Sequence, residues 1–174
     1  MTLSVRQFVT GQALPPCLYL DANVLIAFIV RNHQKNIAAI QLVGEAVSSQ
    51  CEILVSLLAL DEVWHSLAEI WGQSETPRKK VTGAMMKQYA PRLTAKTRDI
   101  LDLDGVIVLP GRADDGRDIV NIVLKLLSAS EMRSRDLFHA GYALHRIAGG
   151  LATTDDDFEK LALPDARDFA VIKL

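Results

Sequence analysis

The chain alternates between short apolar runs and longer stretches whose apolar residues recur every three or four positions. CLYL (17–20), EILVS (52–56), VIVL (106–109), LATT (151–154) and FAVIKL (169–174) are too short for helices and read as strands. Between them, Asn36 to Ser48 carries Ile37, Ile40, Val43, Gly44 and Val47 in helical register. Leu57 to Trp71 does the same with Leu57, Leu60, Trp64, Leu67 and Trp71. Asp114 to Ser128 uses Ile119, Ile122, Val123, Leu126 and Leu127, and Ser134 to Ala148 is a further helix stopped by Gly149-Gly150. Ala22 to Ile29 turns or winds into a helix, Gly72 to Pro77 is a turn-rich gap, and Asp156 to Leu161 is a short helix. Lys79 to Asp102 is helical with a break or kink expected at Pro91. Residues 1–16 form a lead-in closed by Pro15-Pro16, which favours extended backbone.

Strands that alternate with helices and are apolar on both faces predict an α/β fold. The expected architecture is a parallel central sheet of four to five short strands flanked by helices, with residues 1–174 as one domain. Hydrophobic residues make up 49% and charged residues 23%, an ordinary globular composition. The net charge of −2 argues against a polybasic nucleic-acid binder, whose affinity rests on neutralising phosphates. It leaves room for an enzyme that meets nucleic acid through a local patch and a metal. Cys17 and Cys51 lack metal-finger spacing and fit reduced thiols in a cytoplasmic protein. The opening MTLSVRQFVT has no signal-peptide layout, and the longest apolar stretch is interrupted by Asp21 and Asn23. No membrane association is expected.

The candidate chemistry lies in carboxylates. In a parallel α/β sheet, sites form beyond the carboxyl ends of the strands. Asp21 follows CLYL, Asp61-Glu62 follows EILVS, and Asp155 follows LATT. Asp136 opens a helix that starts at the same edge. Taken singly, each has a plainer reading as a helix cap or first-turn acid. On a helical wheel Glu62 lies opposite the apolar stripe and Asp61 nearer its flank, so spacing leaves the choice between them open. Taken together, converging carboxylates repel and raise each other's pKa unless something offsets them. No Lys or Arg recurs beside them in a consistent way, although Arg135 adjoins Asp136. Hard oxygen donors with few histidines suit Mg²⁺ or Mn²⁺, which polarise phosphodiesters and lower the pKa of water.

Four segments carry a family resemblance: YLDANVLI (19–26), SLLALDEVW (56–64), SRDLFHAGYAL (134–144) and LATTDDDFEKL (151–161). In this order they resemble the PIN-domain ribonucleases, and among them the VapC-type toxins of toxin–antitoxin pairs. The resemblance implies an Mg²⁺- or Mn²⁺-dependent endoribonuclease whose metal-site acids are Asp21, Glu62, Asp136 and Asp155. It selects Glu62 over Asp61 by the register from Ser56, and it implies auxiliary roles for Asn23, Ser56, Thr154 and Asp157. It also implies an RNA substrate, an antitoxin that occludes the site, and a homodimer. The lead-in and the region from Trp71 to Asp102 are longer than in a minimal version of such a toxin.

The rival readings are a PIN-like RNA-processing or regulatory binding module with little or no catalysis, and a phosphotransferase with an aspartyl nucleophile at Asp21. The second lacks the usual DxDx[TV] run, having Asp21-Ala22-Asn23. His33, His65, His139 and His145 form no ligand spacing, and His65 and His139 are expected on helix surfaces. Arg78, Lys79 and Lys80 read as a solvated helix end, and Trp64 and Trp71 as core or interface. Asp156 reads as a solvated acid.

Overall fold

The computed structural model describes residues 3–75, 80–110, 115–146, 148–163 and 168–174. The strands are β1 (Leu3–Gln7), β2 (Cys17–Leu20), β3 (Glu52–Ser56), β4 (Val106–Leu109), β5 (Gly150–Thr153) and β6 (Phe169–Lys173). The helices are α1 (Ala22–Ile29), α2 (Asn36–Ser48), α3 (Leu57–Glu75), α4 (Gly83–Leu101), α5 (Asp115–Ala129) and α6 (Ser134–His145), with a 3₁₀ turn over Asp156–Lys160. All strands pair in parallel in the order β1-β6-β5-β2-β3-β4. The expected parallel α/β sheet is therefore present, and the lead-in supplies its edge. Leu3–Gln7 pairs with Phe169–Lys173, although Ser4 and Arg6 break its apolar pattern. An edge strand needs only one neighbour, so a weakly apolar segment suffices.

Strand alternation divides the core into two layers. Leu18, Leu20, Ile53, Val55, Ala152 and Ile172 face α1 to α4, while Tyr19, Leu54, Leu151 and Val171 face α5 and α6. The helices form where the apolar periodicity places them, but two present different faces from those expected. In α2 the buried positions are Ala39, Leu42, Val43 and Ala46, with Ile37 73% and Ile40 48% exposed. Small residues at 39 and 46 let the helix lie close to the sheet, which the larger isoleucines do not allow. In α3 the buried face is Ala59, Leu60, Val63, Leu67 and Ala68, leaving Leu57 and Trp64 exposed.

Helix α4 continues through Pro91 as one element. Helix α6 ends at His145, so Gly149 and Gly150 do not stop it. Their requirement is steric: a Cβ at Gly150 would meet the Ala170 carbonyl at 2.7 Å, and one at Gly149 would meet Pro15 Cβ at 2.7 Å. The gap from Gly72 begins later than expected, since α3 runs to Glu75. Residues 76–79, with Arg78 and Lys79 of the basic run, lie outside the described residues, as do Asp114 and Gly111. Among the described residues no helix is long and apolar enough to cross a membrane.

Candidate metal centre

The central strand β2 is flanked by β5 and β3, so the carboxyl ends of all three open on one edge. The chain order reverses between β2 and β5, the crevice where sheets of this kind bind ligands. Asp21 leaves the end of β2 and is 3% exposed. Its Oδ1 accepts from the Ala22 amide at 2.8 Å, capping α1, and its Oδ2 accepts from Thr153 Oγ1 at 2.9 Å. The Asn23 amide lies at 3.4 Å from the same Oδ2. Asp21 is thus both a cap and a site carboxylate. Burial pushes its carboxyl above the usual carboxylate range despite those donors.

Glu62, in the second turn of α3, faces this edge, while Asp61 is solvent-exposed. Its Oε2 lies 3.1 Å from His139 Nε2, and its Oε1 lies 3.4 Å from Arg135 Nη1. The hydrogen bond to His139 holds the Glu62 carboxyl below its usual range, and Arg135 adds to the effect. Asp136, in the first turn of α6, is raised by burial and by the nearby charges of Asp155, Asp21 and Asp157. Its Oδ2 is buried and has no hydrogen-bond partner. Asp155 caps the 3₁₀ turn, accepting from the Asp157 amide at 2.9 Å. Asp155, Asp21 and Asp157 thus lie within electrostatic range of Asp136, and Glu62 within range of Asp21.

The supporting residues fall out differently. Ser56 Oγ accepts from the Ala59 amide at 3.0 Å, capping α3, and lies 2.7 Å from the Tyr19 hydroxyl. It reaches the carboxylates only through other side chains. The threonine that touches Asp21 is Thr153, one residue before Thr154, and its Oγ1 also accepts from the Asp155 amide at 3.0 Å. Asp157 is paired with Lys160 at 2.5 Å and with Arg133 at 3.4 Å, and the bond from Lys160 lowers its carboxyl. Asp156 is exposed and pairs with Lys173, which also meets Glu159 at 2.6 Å. Cations do approach the acids, but Arg133 and Arg135 come from the exposed rim.

His139 overturns its expected surface position: it is 2% exposed. Its Nε2 lies 3.1 Å from Glu62 and 3.6 Å from Asp21 Oδ1, and its Nδ1 is 2.7 Å from the Tyr19 hydroxyl. Burial alone would lower the imidazole pKa, but the hydrogen bond to Glu62 and the charges of Asp21, Glu62 and Asp136 together raise it. Burial pushes the Tyr19 phenol well above its usual value. Spacing held a signal for both residues. His139 is three positions after Asp136, on the same helical face, and Tyr19 is two before Asp21, on the same strand face.

The donor set tests what the site fits. Ligand atoms of Asp21, Glu62 and His139 lie within 4.8 Å of one another. Asp136, within electrostatic range of Asp21 and His139, carries an orphaned buried oxygen. Buried polar atoms are normally satisfied, so that oxygen points to an absent partner. Hard oxygen donors predominate, which suits Mg²⁺ or Mn²⁺. By contrast, a cleft of about 450 Å³ between α3 and α4 is lined mainly by the apolar Trp64, Met86, Ala90, Leu93 and Leu101, with Thr94, Thr97 and Arg98 and no acid.

Comparison with known proteins agrees with this geometry. The family model described as PIN domain matches residues 18–163. No curated protein sequence matches the chain. Among solved structures, VapBC2 from Rickettsia felis bound to a promoter DNA fragment is similar with a TM-score of 0.54 and 16% identity, covering 91% of this chain and 98% of that one. FitAcB from Neisseria gonorrhoeae is similar at 0.55 and 17% identity, covering 90% and 96%. VapC20 from Mycobacterium tuberculosis, a toxin that cleaves the sarcin-ricin loop, is similar at 0.51 and 14% identity, covering 82% and 92%.

Proposed function

The chain belongs to the PIN-domain family, and on that premise we propose that it is a metal-dependent endoribonuclease, the toxin of a toxin–antitoxin pair. The observation that carries the proposal is the unpartnered buried oxygen of Asp136, on a carboxylate within electrostatic range of Asp21 and Asp155. Asp21, Glu62, Asp136 and Asp155 would hold Mg²⁺ or Mn²⁺, directly or through water. Bound there, the cation supplies Lewis-acid stabilisation of phosphoryl oxygens and a lowered pKa for water.

The chain's own residues do the rest. Thr153 and the Ala22 amide fix both oxygens of Asp21, so its carboxylate is oriented before any ligand arrives. Arg133 and Arg135, 81% and 73% exposed, sit on the acids at the rim, where an incoming phosphodiester offers them a competing anion.

The toxin role draws support from the solved structures of similar fold, one of them named as a sarcin-ricin loop cleaving toxin. An antitoxin is accordingly the proposed partner. A second copy of the chain is another, supported by the exposed apolar stripe Val120, Leu124 and Leu127 on α5. A reducing, cytoplasmic setting is supported by Cys17 and Cys51, which are free thiols.

The test incubates purified chain with end-labelled RNA, and with DNA of the same sequence, in Mn²⁺ or in EDTA. Internal cleavage of the RNA in Mn²⁺ alone is expected. RNA left intact under all conditions would contradict the proposal.

A further inference from the structure

Glu62 sits on the face of α3 opposite its apolar stripe, a position that ordinarily points a carboxylate into solvent. Here the side chain is only 17% exposed and turns toward Asp21. The contact that turns it is His139 Nε2, at 3.1 Å from Oε2. Two buried side chains and a backbone amide stand behind that imidazole in a line. The Ala59 amide donates to Ser56 Oγ, Ser56 Oγ lies 2.7 Å from Tyr19 Oη, and Tyr19 Oη lies 2.7 Å from His139 Nδ1.

We infer that His139 is a positioning residue of this centre, whose Nε2–H donates to Glu62 and sets its carboxylate against Asp21, with the ring itself held through Tyr19 and Ser56.

The direction of donation follows from the neighbours. Nε2 faces carboxylate oxygens on both sides, Glu62 Oε2 and Asp21 Oδ1. A bare nitrogen there would oppose lone pairs to lone pairs, so Nε2 carries a hydrogen. In the neutral ring the relay runs one way throughout: Ser56 accepts from Ala59 and donates to Tyr19, Tyr19 donates to Nδ1, and Nε2–H donates to Glu62. In the imidazolium Nδ1–H donates to Tyr19 instead, and Nε2–H still donates to Glu62. Every member is satisfied, as a buried polar network requires. The ring has no freedom to swing, because it is nine-tenths or more buried and packs against Tyr19 at 5.8 Å between centroids. The Glu62 carboxylate is thereby given one orientation. Residues that orient metal ligands commonly change metal affinity 10- to 100-fold when removed.

The metal arm of the test rests on the proposed metal centre; the spectroscopic arm does not. In the metal-free full-length chain, long-range ¹H–¹⁵N NMR should show His139 protonated at Nε2. Tyr19→Phe should move the Nδ1 resonance and leave Nε2 protonated. A bare Nε2 in the wild type overturns the inference.

For the metal arm, Mn²⁺ affinity is read by electron paramagnetic resonance. His139→Ala and Glu62→Gln should each weaken binding by about tenfold. The double variant should be no more than about twofold worse than Glu62→Gln alone, because the histidine acts through the glutamate. His139→Gln, which keeps an N–H donor and serves if the alanine variant does not fold, should recover part of the loss. Independent, multiplying losses, or nitrogen hyperfine coupling between His139 and bound Mn²⁺, overturn the inference. A wild-type chain that binds no Mn²⁺ would defeat the metal reading while leaving the NMR result to decide the role of His139.

Discussion

Thr153 Oγ1 donates to Asp21 Oδ2 at 2.9 Å, joining residues 132 positions apart in the chain. The same oxygen accepts from the Asp155 amide at 3.0 Å, so one buried hydroxyl ties the ends of two adjacent parallel strands at the candidate centre. Thr153→Val keeps the shape and removes both bonds. It should cost about 1–3 kcal/mol in urea unfolding, the usual range for stranding buried polar partners. Thr154→Val, at the half-buried neighbour, should stay within about 0.5 kcal/mol. Equal losses from the two would contradict the assignment.

Asp21→Asn keeps the helix-cap acceptor for the Ala22 amide and removes a carboxylate that burial disfavours in its charged form. Cleavage of RNA should fall by at least about 100-fold, the scale of losing one preorganised electrostatic group. The fold, followed by circular dichroism, should be kept. Loss of the fold or unchanged turnover would contradict this role.

The pH dependence of the metal-free chain has a defined sign. Asp21 and Asp136 both have raised carboxyl pKa values in the fold. As pH climbs from the ordinary carboxylate range, the unfolded chain loses these protons first and the folded chain still holds them. Their contribution to stability is therefore present at low pH and lost as pH rises through the folded values. Glu62 is lowered and works the other way, its contribution being lost as pH falls. Comparing wild type with Asp21→Asn in EDTA reads Asp21 together with Asp136 and His139, whose raised values depend in part on its charge and act in the same direction. The stability of the variant relative to wild type should rise as pH climbs above the ordinary carboxylate range. Parallel Tm curves would contradict it.

Much of this arrangement is legible in the sequence. Asp21 and Asp155 are visible because each follows an apolar run, and strand ends in a parallel sheet share an edge. Glu62 is legible only through the family resemblance, because the wheel of α3 reports burial along the helix body. Its first turns leave β3 at the site, where a residue off the buried face meets Arg135 and His139 of α6. His139 is hidden because a lone histidine carries no ligand spacing. Only its position three residues after Asp136 hints at a shared face. The buried side of α2 is misjudged for a different reason: close packing there favours Ala39 and Ala46 over the larger Ile37 and Ile40.

The α5–α6 layer that carries Asp136 and His139 depends on a close approach at Gly141. A Cβ there would meet Val123 Cγ2 at 2.6 Å and the Ile119 carbonyl oxygen at 3.5 Å. Gly141→Ala should destabilise by about 1–3 kcal/mol through overpacking. Val123→Ala makes room, so the double variant should be more stable than the two single losses added together. Additive losses would contradict the packing account.

The central claim is that the converging acids exist to hold a divalent cation, and calorimetric titration of Mn²⁺ into the metal-free chain tests it most directly. Saturable binding by the wild type, weakened at least about tenfold in Asp21→Asn, is the predicted result. Failure of the wild type to bind, or equal binding by the two proteins, would contradict it.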